Sequence, residues 1–336
     1  MKVLLLAEQA PGALGYSYAS AFRSMGFEVE SICLRSAGEL DFPGLRWRGM
    51  RRLMHPLAAG LANRRIRETV KGRADLVLVV KGEQFSAETI AMIRDRTGAV
   101  VVNFFPDDPF SDVRSNRLVY GPEVLAAYDI CFTFARHLIP SYTASGARRV
   151  EYLPFARDPE MHSPVEGVED PEFDVVFAGN LDSGRVAWLE SLRGFRIALF
   201  GERTKEAIPV GSALHSATTF PAVYGMELAR AVARAAISIN IMRPQNQGSH
   251  NMRSFESPAC GAFTLSQRTP ELVELFREGE EIACFGSGDE LKEQVDRWLS
   301  SPNERRAVAA AGFERVREDT YQARATSILR FVGIPS

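Results

Sequence analysis

Short apolar runs rich in β-branched residues recur along this chain, and a segment long enough for one helix follows most of them. The clearest runs are residues 3–7, 75–81, 99–105, 173–178 and 236–242. Parallel strands need such crossover connections, because a tight turn can join only antiparallel neighbours. The alternation therefore predicts an α/β fold made of doubly wound, Rossmann-like parallel sheets.

The chain divides in the middle of its sequence. Residues 154–171 contain four prolines and several acidic residues, a composition typical of a linker, and the same α/β alternation occurs on both sides. A length of 336 residues suits two domains of ordinary size. We predict an N-terminal domain over residues 1–155, a linker over 156–171, a C-terminal domain over 172–318 and a final segment over 319–336.

Composition excludes several classes of protein. Hydrophobic residues make up 46% and charged residues 24%, which indicates a globular chain, and a net charge of −2 gives no general attraction to nucleic acid. The four cysteines are scattered without a C-x-x-C pair, which favours buried, reduced thiols and a cytoplasmic location. The N-terminal apolar run is too short for a signal peptide or a membrane span.

The segment most suggestive of function follows the run at 236–242. A loop leads into a predicted short helix, and the helix is followed by another strand. Ligands in such sheets bind beyond the carboxyl ends of the strands, so the helix amides near Asn251 and Ser254 are candidates for binding a phosphate. Arg253 adds an anion donor, and Glu256, three residues later on the same face, suits vicinal hydroxyls of a ribose. The alternative is an ordinary surface ion pair between Arg253 and Glu256.

A family resemblance starts from these residues. The sequence from Arg253 through Phe255, Glu256 and Ala259 to Phe263 resembles the signature of CgeB-like, group-1-type glycosyltransferases. Further positions keep the order of that family over most of residues 170–330: Glu271, Leu272, Phe276, Gly279, Glu280, Glu281, Phe285, Glu290, Leu291, Gly312, Tyr321 and Arg324. The N-terminal half resembles the family more weakly.

The resemblance implies the GT-B fold, in which two such domains face a cleft and a last helix returns toward the first domain. It implies a UDP-, GDP- or dTDP-sugar as co-substrate, with no permanently bound cofactor, and a hexosyl or deoxyhexosyl group transferred to a glycan, a lipid-linked or a small-molecule acceptor. In such enzymes the residue matching Glu256 holds the ribose. Many retaining relatives have a second glutamate eight residues earlier, where this chain has Gly248, so the stereochemical outcome stays open.

Glycines after predicted strands are further candidates for contact with the donor. Gly12 and Gly15 follow the first strand without forming the dinucleotide fingerprint, and Gly179 and Gly201 follow two strands of the second half. Arg185, six residues after Gly179, is suited to a diphosphate, in keeping with basic residues at this place in relatives. The alternatives are plain turns at the glycines and an exposed helix start at Arg185.

The N-terminal half offers polar residues at two strand ends. Asp107 and Asp108 follow the strand at 99–105 between prolines, and either is a candidate to orient sugar hydroxyls or to act as a general base. An Asp-Pro turn is the alternative. The pair is not D-x-D, so no metal-bound nucleotide is predicted. His137, after the strand at 129–134, is a candidate for touching a hydroxyl or a phosphate, or simply a polar helix start.

Residues 46–73 contain nine basic residues and one acidic residue, interleaved with apolar ones. Such a segment suits either the anionic surface of a membrane or a solvated helix face. Peripheral contact with the inner face of the membrane is therefore a hypothesis, and the oligomeric state stays open. Two other classes stay open as well, a nucleotide-sugar epimerase of the same fold and a non-catalytic two-domain binding protein.

Overall fold

The computed structural model describes residues 1–34, 48–113, 116–165 and 170–335, except the side chains of residues 48–56. Contacts divide the chain into two compact units. The first unit comprises Met1–Pro154 with Arg324–Ser336, and the second comprises Phe155–Ala323. Each unit contains one six-stranded sheet whose strands are all parallel.

The first unit alternates strands and helices along the chain. Its elements are β1 (Lys2–Ala7), α1 (Leu14–Ser24), β2 (Glu28–Cys33), α2 (Arg48–Thr69), β3 (Leu76–Val80), α3 (Ala87–Thr97), β4 (Val100–Phe105), β5 (Ile130–Thr133), α4 (Ile139–Ala144) and β6 (Val150–Tyr152). The central strand β3 is buried along its whole length. Its continuous apolar run, without polar alternation, is explained by cover on both faces of the sheet.

The strand order in this sheet is β2-β1-β3-β4-β5-β6. The chain proceeds from β1 to β2 on one side and then crosses to β3 on the other side. The direction of winding therefore reverses between β1 and β3, and open α/β sheets bind their ligands beside such a reversal.

Caps set the bounds of helix α3. The Ser86 side chain accepts from the Thr89 amide at the start of α3, and Gly98 ends that helix in the left-handed conformation.

The second unit repeats the alternation. Its elements are β7 (Phe173–Ala178), α5 (Ser183–Glu190), β8 (Ile197–Phe200), α6 (Thr204–Ala207), β9 (Thr218–Phe220), α7 (Gly225–Ala233), β10 (Ala235–Asn240), α8 (Arg253–Ala259), β11 (Thr264–Gln267), α9 (Pro270–Leu275), β12 (Ala283–Phe285), α10 (Gly288–Ser300), α11 (Pro302–Arg315) and the start of α12 (Tyr321–Val332). The strand order is β12-β11-β10-β7-β8-β9, so the winding reverses between β7 and β10.

Alternate residues of the strands in this sheet enter two separate apolar clusters. Val175 and Phe177 of β7 pack into the larger cluster, whereas Val176 packs into the smaller one. A strand alternates its side chains between faces, so both faces of β7 are buried. Complete burial of one such side chain contributes roughly 1.5–3 kcal/mol. These two layers hold the carboxyl ends of the strands in fixed positions.

The last residues of α12 pack in the first unit. The Arg324 Nε atom donates to the carbonyl oxygen of Pro154 at 3.0 Å. The ring of Phe331 lies 5.8 Å from that of Phe132, centroid to centroid, and its carbonyl oxygen accepts from Arg149 at 2.9 Å.

The predicted α/β class with two doubly wound parallel sheets is confirmed. Two three-residue strands, β9 and β12, were not predicted, because three residues are too few for periodicity to register. All four cysteines are free thiols, but Cys33 at the end of β2 is exposed, contrary to the prediction of burial. Strand β2 is at the edge of the sheet, where cover is incomplete. Each helix in the described ranges is either too short or too polar to cross a lipid bilayer.

Candidate functional site

The carboxyl ends of β7 and β10 lie side by side at the winding reversal of the second sheet. After β7 the chain passes through Gly179 and Asn180 into α5, and after β10 it passes through a longer loop into α8. The sequence candidates of the second half are on these two connections, together with Gly201 after the adjacent β8.

Two asparagines fix the start of α8 against the end of β10. Asn240 and Asn251 exchange amide hydrogen bonds of 3.1 and 2.8 Å, and Asn240 also donates to Ser266 of β11 at 3.2 Å. The Asn251 side chain accepts from the Ser254 amide at 3.2 Å, as a helix cap does. Asn251 and Ser254 are therefore structural partners as well as candidates. Within the described chain, the preceding amides of Met252 and Arg253 make no hydrogen bond.

Arg253 connects α8 to the end of β7. Its Nε atom donates to the carbonyl oxygen of Ala178 at 3.2 Å, and its Nη1 atom pairs with the Oε2 atom of Glu256. The Glu256 side chain is only 3% accessible and that of Arg253 is 20% accessible. The pair is thus not the exposed surface pair that was the alternative reading. Removing either partner would leave the other charge largely desolvated.

A residue that the sequence did not single out lies on the other side of the Glu256 carboxylate. The Nε2 atom of His162 is 3.8 Å from the Oε1 atom of Glu256, and both side chains are buried. His162 Nδ1 accepts a hydrogen bond of 3.1 Å from the Asp158 amide, so Nε2 bears the ring proton. Burial lowers the pKa of His162, while Glu256 raises it and Arg253 opposes protonation. Burial is the largest effect, which favours a neutral ring.

Arg185 is buried, and carbonyl groups engage its guanidinium. Its Nε and Nη2 atoms donate to Ile241 at 3.1 and 2.8 Å, and Nη1 donates to Asn180 at 2.9 Å. The alternative of an exposed helix start is therefore wrong. Arg185 ties the loop after β7 to the end of β10. Its charge still contributes to the local field, although its donors are used within the protein.

Three arginines concentrate positive charge at this point. Burial is the largest cause that lowers the pKa of Arg185 to about 10, and the neighbouring charges of Arg243 and Arg253 act in the same direction. Asp182, which caps α5 through the Arg185 amide, is the opposing acid. Sequence reasoning missed Arg243, a half-buried loop residue whose only signal was its place just past the end of a strand. Repulsion among fixed guanidinium groups is relieved when an anion binds between them.

Gly201 lets two strand ends approach closely. A Cβ atom on Gly201 would lie 2.6 Å from the carbonyl oxygen of Gly179, and one on Gly179 would lie 3.3 Å from the ring of Phe177. Glycine is therefore the residue that fits these strand ends without moving their neighbours.

The first unit has an ion pair at its own carboxyl edge. Lys81, directly after β3, pairs with Asp107, after β4, at 3.2 Å between Nζ and Oδ2. Lys81 has a left-handed backbone with φ of 67°, which is unfavourable for a lysine. Asn103, buried in β4, donates to the carbonyl oxygens of Val79 and Lys81 at 3.1 and 3.0 Å and so holds this conformation. Sequence reasoning missed Lys81, because a lysine after a strand is an ordinary surface residue.

The structure distinguishes the two neighbouring carboxylates. Asp108 Oδ1 accepts from the Phe110 amide at 2.9 Å, and its carbonyl oxygen accepts from the Ser111 hydroxyl at 2.8 Å. This is the Asp-Pro turn that was the alternative reading. Asp107 instead extends to Lys81. The geometry therefore favours Asp107 over Asp108 as the chemically available carboxylate of the two.

The other candidates of the first unit follow β1 and β5, whose carboxyl ends lie at the same edge of the sheet as those of β3 and β4. Gly12 has a φ of 85° in the loop after β1. Gly15 is in the first turn of α1, where a Cβ atom would lie 2.2 Å from the Glu8 carbonyl oxygen, so it permits tight packing of the helix on the strand end. His137 is exposed in a short 3₁₀ helix, Arg136–Leu138, after β5. In the described ranges, no three or more His, Cys, Asp or Glu side chains are grouped to hold a metal ion.

Solved structures with this architecture define the fold as that of the GT-B glycosyltransferases. The Anabaena protein HepE in complex with UDP-glucose aligns with a TM-score of 0.66 at 11% identity, covering 99% of each chain. Sucrose-phosphate synthase of Thermosynechococcus elongatus aligns with a TM-score of 0.65 at 12% identity, covering 98% of each chain. The β-glucosyltransferase of phage T4 with its UDP-glucose substrate gives 0.60 at 14% identity, covering 99% of each chain.

Residues 185–330 match the family model described as "Glycosyl transferase-like". The matched range begins at Arg185 and includes Arg243, Arg253 and Glu256. The resemblance to glycosyltransferases expected from the Arg253–Phe263 motif is thus confirmed. The sequence matches none of the curated proteins with which it was compared.

Proposed function

We propose that the protein is a glycosyltransferase that moves a hexosyl or deoxyhexosyl group from a nucleoside diphosphate sugar to an acceptor hydroxyl. The observation that carries the proposal is the group of three arginines, Arg185, Arg243 and Arg253, at the winding reversal of a GT-B sheet. Their charges and the amides at the start of α8 suit a diphosphate. HepE and the phage T4 enzyme, which share the fold, have been solved with UDP-glucose.

In this proposal the second unit binds the donor. The bond between the anomeric carbon and the diphosphate breaks, and the negative charge that develops on the leaving group is stabilised by Arg253 and Arg243 without a metal ion. Each such contact contributes roughly 2–4 kcal/mol to lowering the barrier. Glu256 accepts hydrogen bonds from the ribose and takes no part in the chemistry. Gly179 and Gly201 let the nucleotide approach the backbone.

The first unit receives the acceptor, a glycan, a lipid-linked or a small molecule. Asp107, oriented by Lys81, holds the acceptor or sugar hydroxyls, and it accepts the acceptor proton if the transfer inverts the anomeric carbon. The new bond then joins the acceptor oxygen to the anomeric carbon. In the same proposal, Gly12 and Gly15 contribute to contact with the donor, and His137 contacts a hydroxyl or phosphate. The last segment, residues 319–336, begins in the second unit, and from Arg324 onward it belongs with the acceptor-binding domain.

Binding and product analysis test this proposal. UDP, GDP, dTDP and ADP are titrated calorimetrically, with and without EDTA, and we expect one of them to bind in both conditions. Arg243→Gln should weaken that binding about tenfold, as expected for the loss of one charge-assisted contact. Arg196→Gln is the matched control, because Arg196 precedes β8 at the opposite edge of the same sheet.

Three results would contradict the proposal. Binding of no nucleotide would contradict a donor site, and an equal loss in the two arginine variants would contradict its location. A donor sugar epimerised without any acceptor would indicate the alternative enzyme class. Loss of binding in EDTA, restored by Mn²⁺, would contradict only the metal-independent part.

We also propose that α2 contacts an anionic membrane surface. Leu57 and Leu61, one turn apart, are 63% and 50% exposed, and Arg64 and Arg65 are exposed on the next turn. Buried Asn63 anchors the helix by donating to the Ala59 and Gln84 carbonyl oxygens. Apolar side chains beside arginines are suited to a bilayer surface with anionic headgroups.

Vesicle sedimentation tests the membrane proposal. Vesicles of phosphatidylglycerol should sediment the protein at low salt, whereas vesicles of phosphatidylcholine should not. Leu57→Ser with Leu61→Ser should abolish sedimentation, and Val210→Ser, at a fully exposed valine of the second unit, is the control. Equal sedimentation of these two variants, or none of the wild type, would contradict membrane contact by α2.

A further inference from the structure

His162 is held in one orientation and one tautomer. The turn from Asp158 closes on it, because the His162 amide donates to the Asp158 carbonyl oxygen at 2.8 Å while the Asp158 amide donates to His162 Nδ1 at 3.1 Å. The Asp158 carboxylate accepts from the Glu160 amide at 3.0 Å and completes the turn. With Nδ1 engaged as an acceptor, the only ring proton is on Nε2.

That proton faces the Glu256 carboxylate. The Nε2 and Oε1 atoms are 3.8 Å apart, which is an electrostatic contact longer than a hydrogen bond. Arg253 holds the other oxygen, Oε2, and is itself anchored on the Ala178 carbonyl oxygen. The two oxygens of Glu256 therefore have different partners on opposite sides, which restricts the rotation of the carboxylate.

We infer that His162 is a positioning residue for nucleotide binding, acting through Glu256 to set the direction in which the carboxylate offers Oε1 to the ribose hydroxyls. This inference rests on the proposed role of Glu256. A carboxylate held from both sides loses little freedom when a ligand binds, and such preorganisation appears as affinity. A neutral N–H donor suits this task, since it orients the carboxylate without neutralising it, whereas Arg253 compensates the charge.

Two substitutions separate the two hydrogen-bonding functions of the ring. In His162→Gln the amide nitrogen reaches about as far as Nε2, so the donor toward Glu256 is kept and the acceptor for Asp158 is lost. In His162→Asn the amide oxygen reaches about as far as Nδ1, so the turn at Asp158 is kept and the donor toward Glu256 is lost. A merely structural role in the turn predicts that asparagine is the better replacement. A role through Glu256 predicts that glutamine is.

The test measures by calorimetry the affinities of UDP, or of GDP if UDP does not bind, and of the corresponding 2′,3′-dideoxy nucleotide for the wild type, both His162 variants and Glu256→Gln. We expect the wild type to bind UDP about tenfold more tightly than the dideoxy compound, which corresponds to about 1.4 kcal/mol of hydroxyl contacts. His162→Asn should weaken UDP about fivefold and leave the dideoxy compound unchanged. His162→Gln should keep most of the wild-type ratio, and Glu256→Gln should abolish it.

Each result decides between the proposals. One case is that the wild type discriminates between the two nucleotides, and His162→Asn keeps the full ratio of their affinities or loses affinity for both equally. This result overturns the inference about His162 and leaves the proposed role of Glu256 intact. If the wild type does not discriminate, or binds no nucleoside diphosphate, the role of Glu256 in the proposed function fails and the inference fails with it. If His162→Asn does not fold, His162→Gln decides, because loss of the ratio in that variant overturns the inference.

Discussion

The buried pair of Arg253 and Glu256 makes the sharpest prediction, because it separates stability from binding. Arg253→Met removes the guanidinium and leaves a carboxylate that is 3% accessible beside the neutral ring of His162. Breaking a buried pair from one side costs roughly 3–5 kcal/mol. The lower end applies because the Arg253 side chain keeps one-fifth of its accessibility. We therefore expect a loss of about 3 kcal/mol in the second unit.

For a unit of this size each kilocalorie corresponds to roughly 2–4 °C, so the unfolding temperature should fall by about 6–12 °C. The double variant, Arg253→Met with Glu256→Gln, removes both charges and should recover more than half of this loss. Nucleoside diphosphate binding should not recover, because both the anion donor and the carboxylate are absent.

Differential scanning calorimetry measures the stability of each variant, and isothermal titration measures its affinity for UDP, GDP, dTDP and ADP. An unfolding temperature of Arg253→Met within 2 °C of wild type would show that the charges are not a desolvated pair. Recovery of binding in the double variant would show that the pair serves the fold alone. Either result would refute the inference that a buried Arg253–Glu256 pair both stabilises the second unit and binds the nucleotide.

The other expectations concern the remaining parts of the site. Lys81→Gly should relieve the left-handed strain and stabilise the first unit by about 1 kcal/mol in urea unfolding. The same substitution should lower the rate of transfer, because it removes the contact with Asp107. Full activity of this variant would contradict a role for the ion pair. Gly201→Ala should cost about 1–3 kcal/mol by overpacking against the Gly179 carbonyl oxygen, and an unchanged melting curve would contradict the close approach. Because burial lowers the pKa of His162, the unfolded state binds more protons below about pH 6.5, so stability should fall as the pH falls through that range. His162→Gln should show a shallower fall, and identical pH profiles of the two proteins would contradict a buried neutral ring. Burial lowers the pKa most, Arg253 and Arg157 act in the same direction, and Glu256 and Asp158, which favour protonation, only partly oppose them.

The pattern of the sequence predicted the fold because most strands of the sheets are themselves local signals. Strand β3, a run of five buried aliphatic residues, identifies itself without knowledge of its neighbours. The pairing of Arg253 with Glu256 was also within reach, since a spacing of three fixes a common helix face. The sequence could not predict whether that face is exposed or buried, because burial depends on the packing of segments distant in sequence.

Long-range contacts explain the omissions. His162 lies in the proline-rich stretch that the sequence predicted as a linker, and only the folded chain brings it to Glu256. Arg185 was a candidate because of its charge, but its contact with the Ile241 carbonyl oxygen, 56 residues away, has no pattern in the sequence. Lys81 depends on a backbone angle that a propensity for strands does not encode.

Gly179 and Gly201 have no side chains of their own, and the position of a Cβ atom on Gly201 is occupied by the Gly179 carbonyl oxygen. Peptide groups keep their shape and polarity whatever residues are substituted elsewhere, so single substitutions cannot change such a surface gradually. If a ligand binds at this edge of the sheet, a change in its identity is therefore expected to come from substitutions in the adjoining loops.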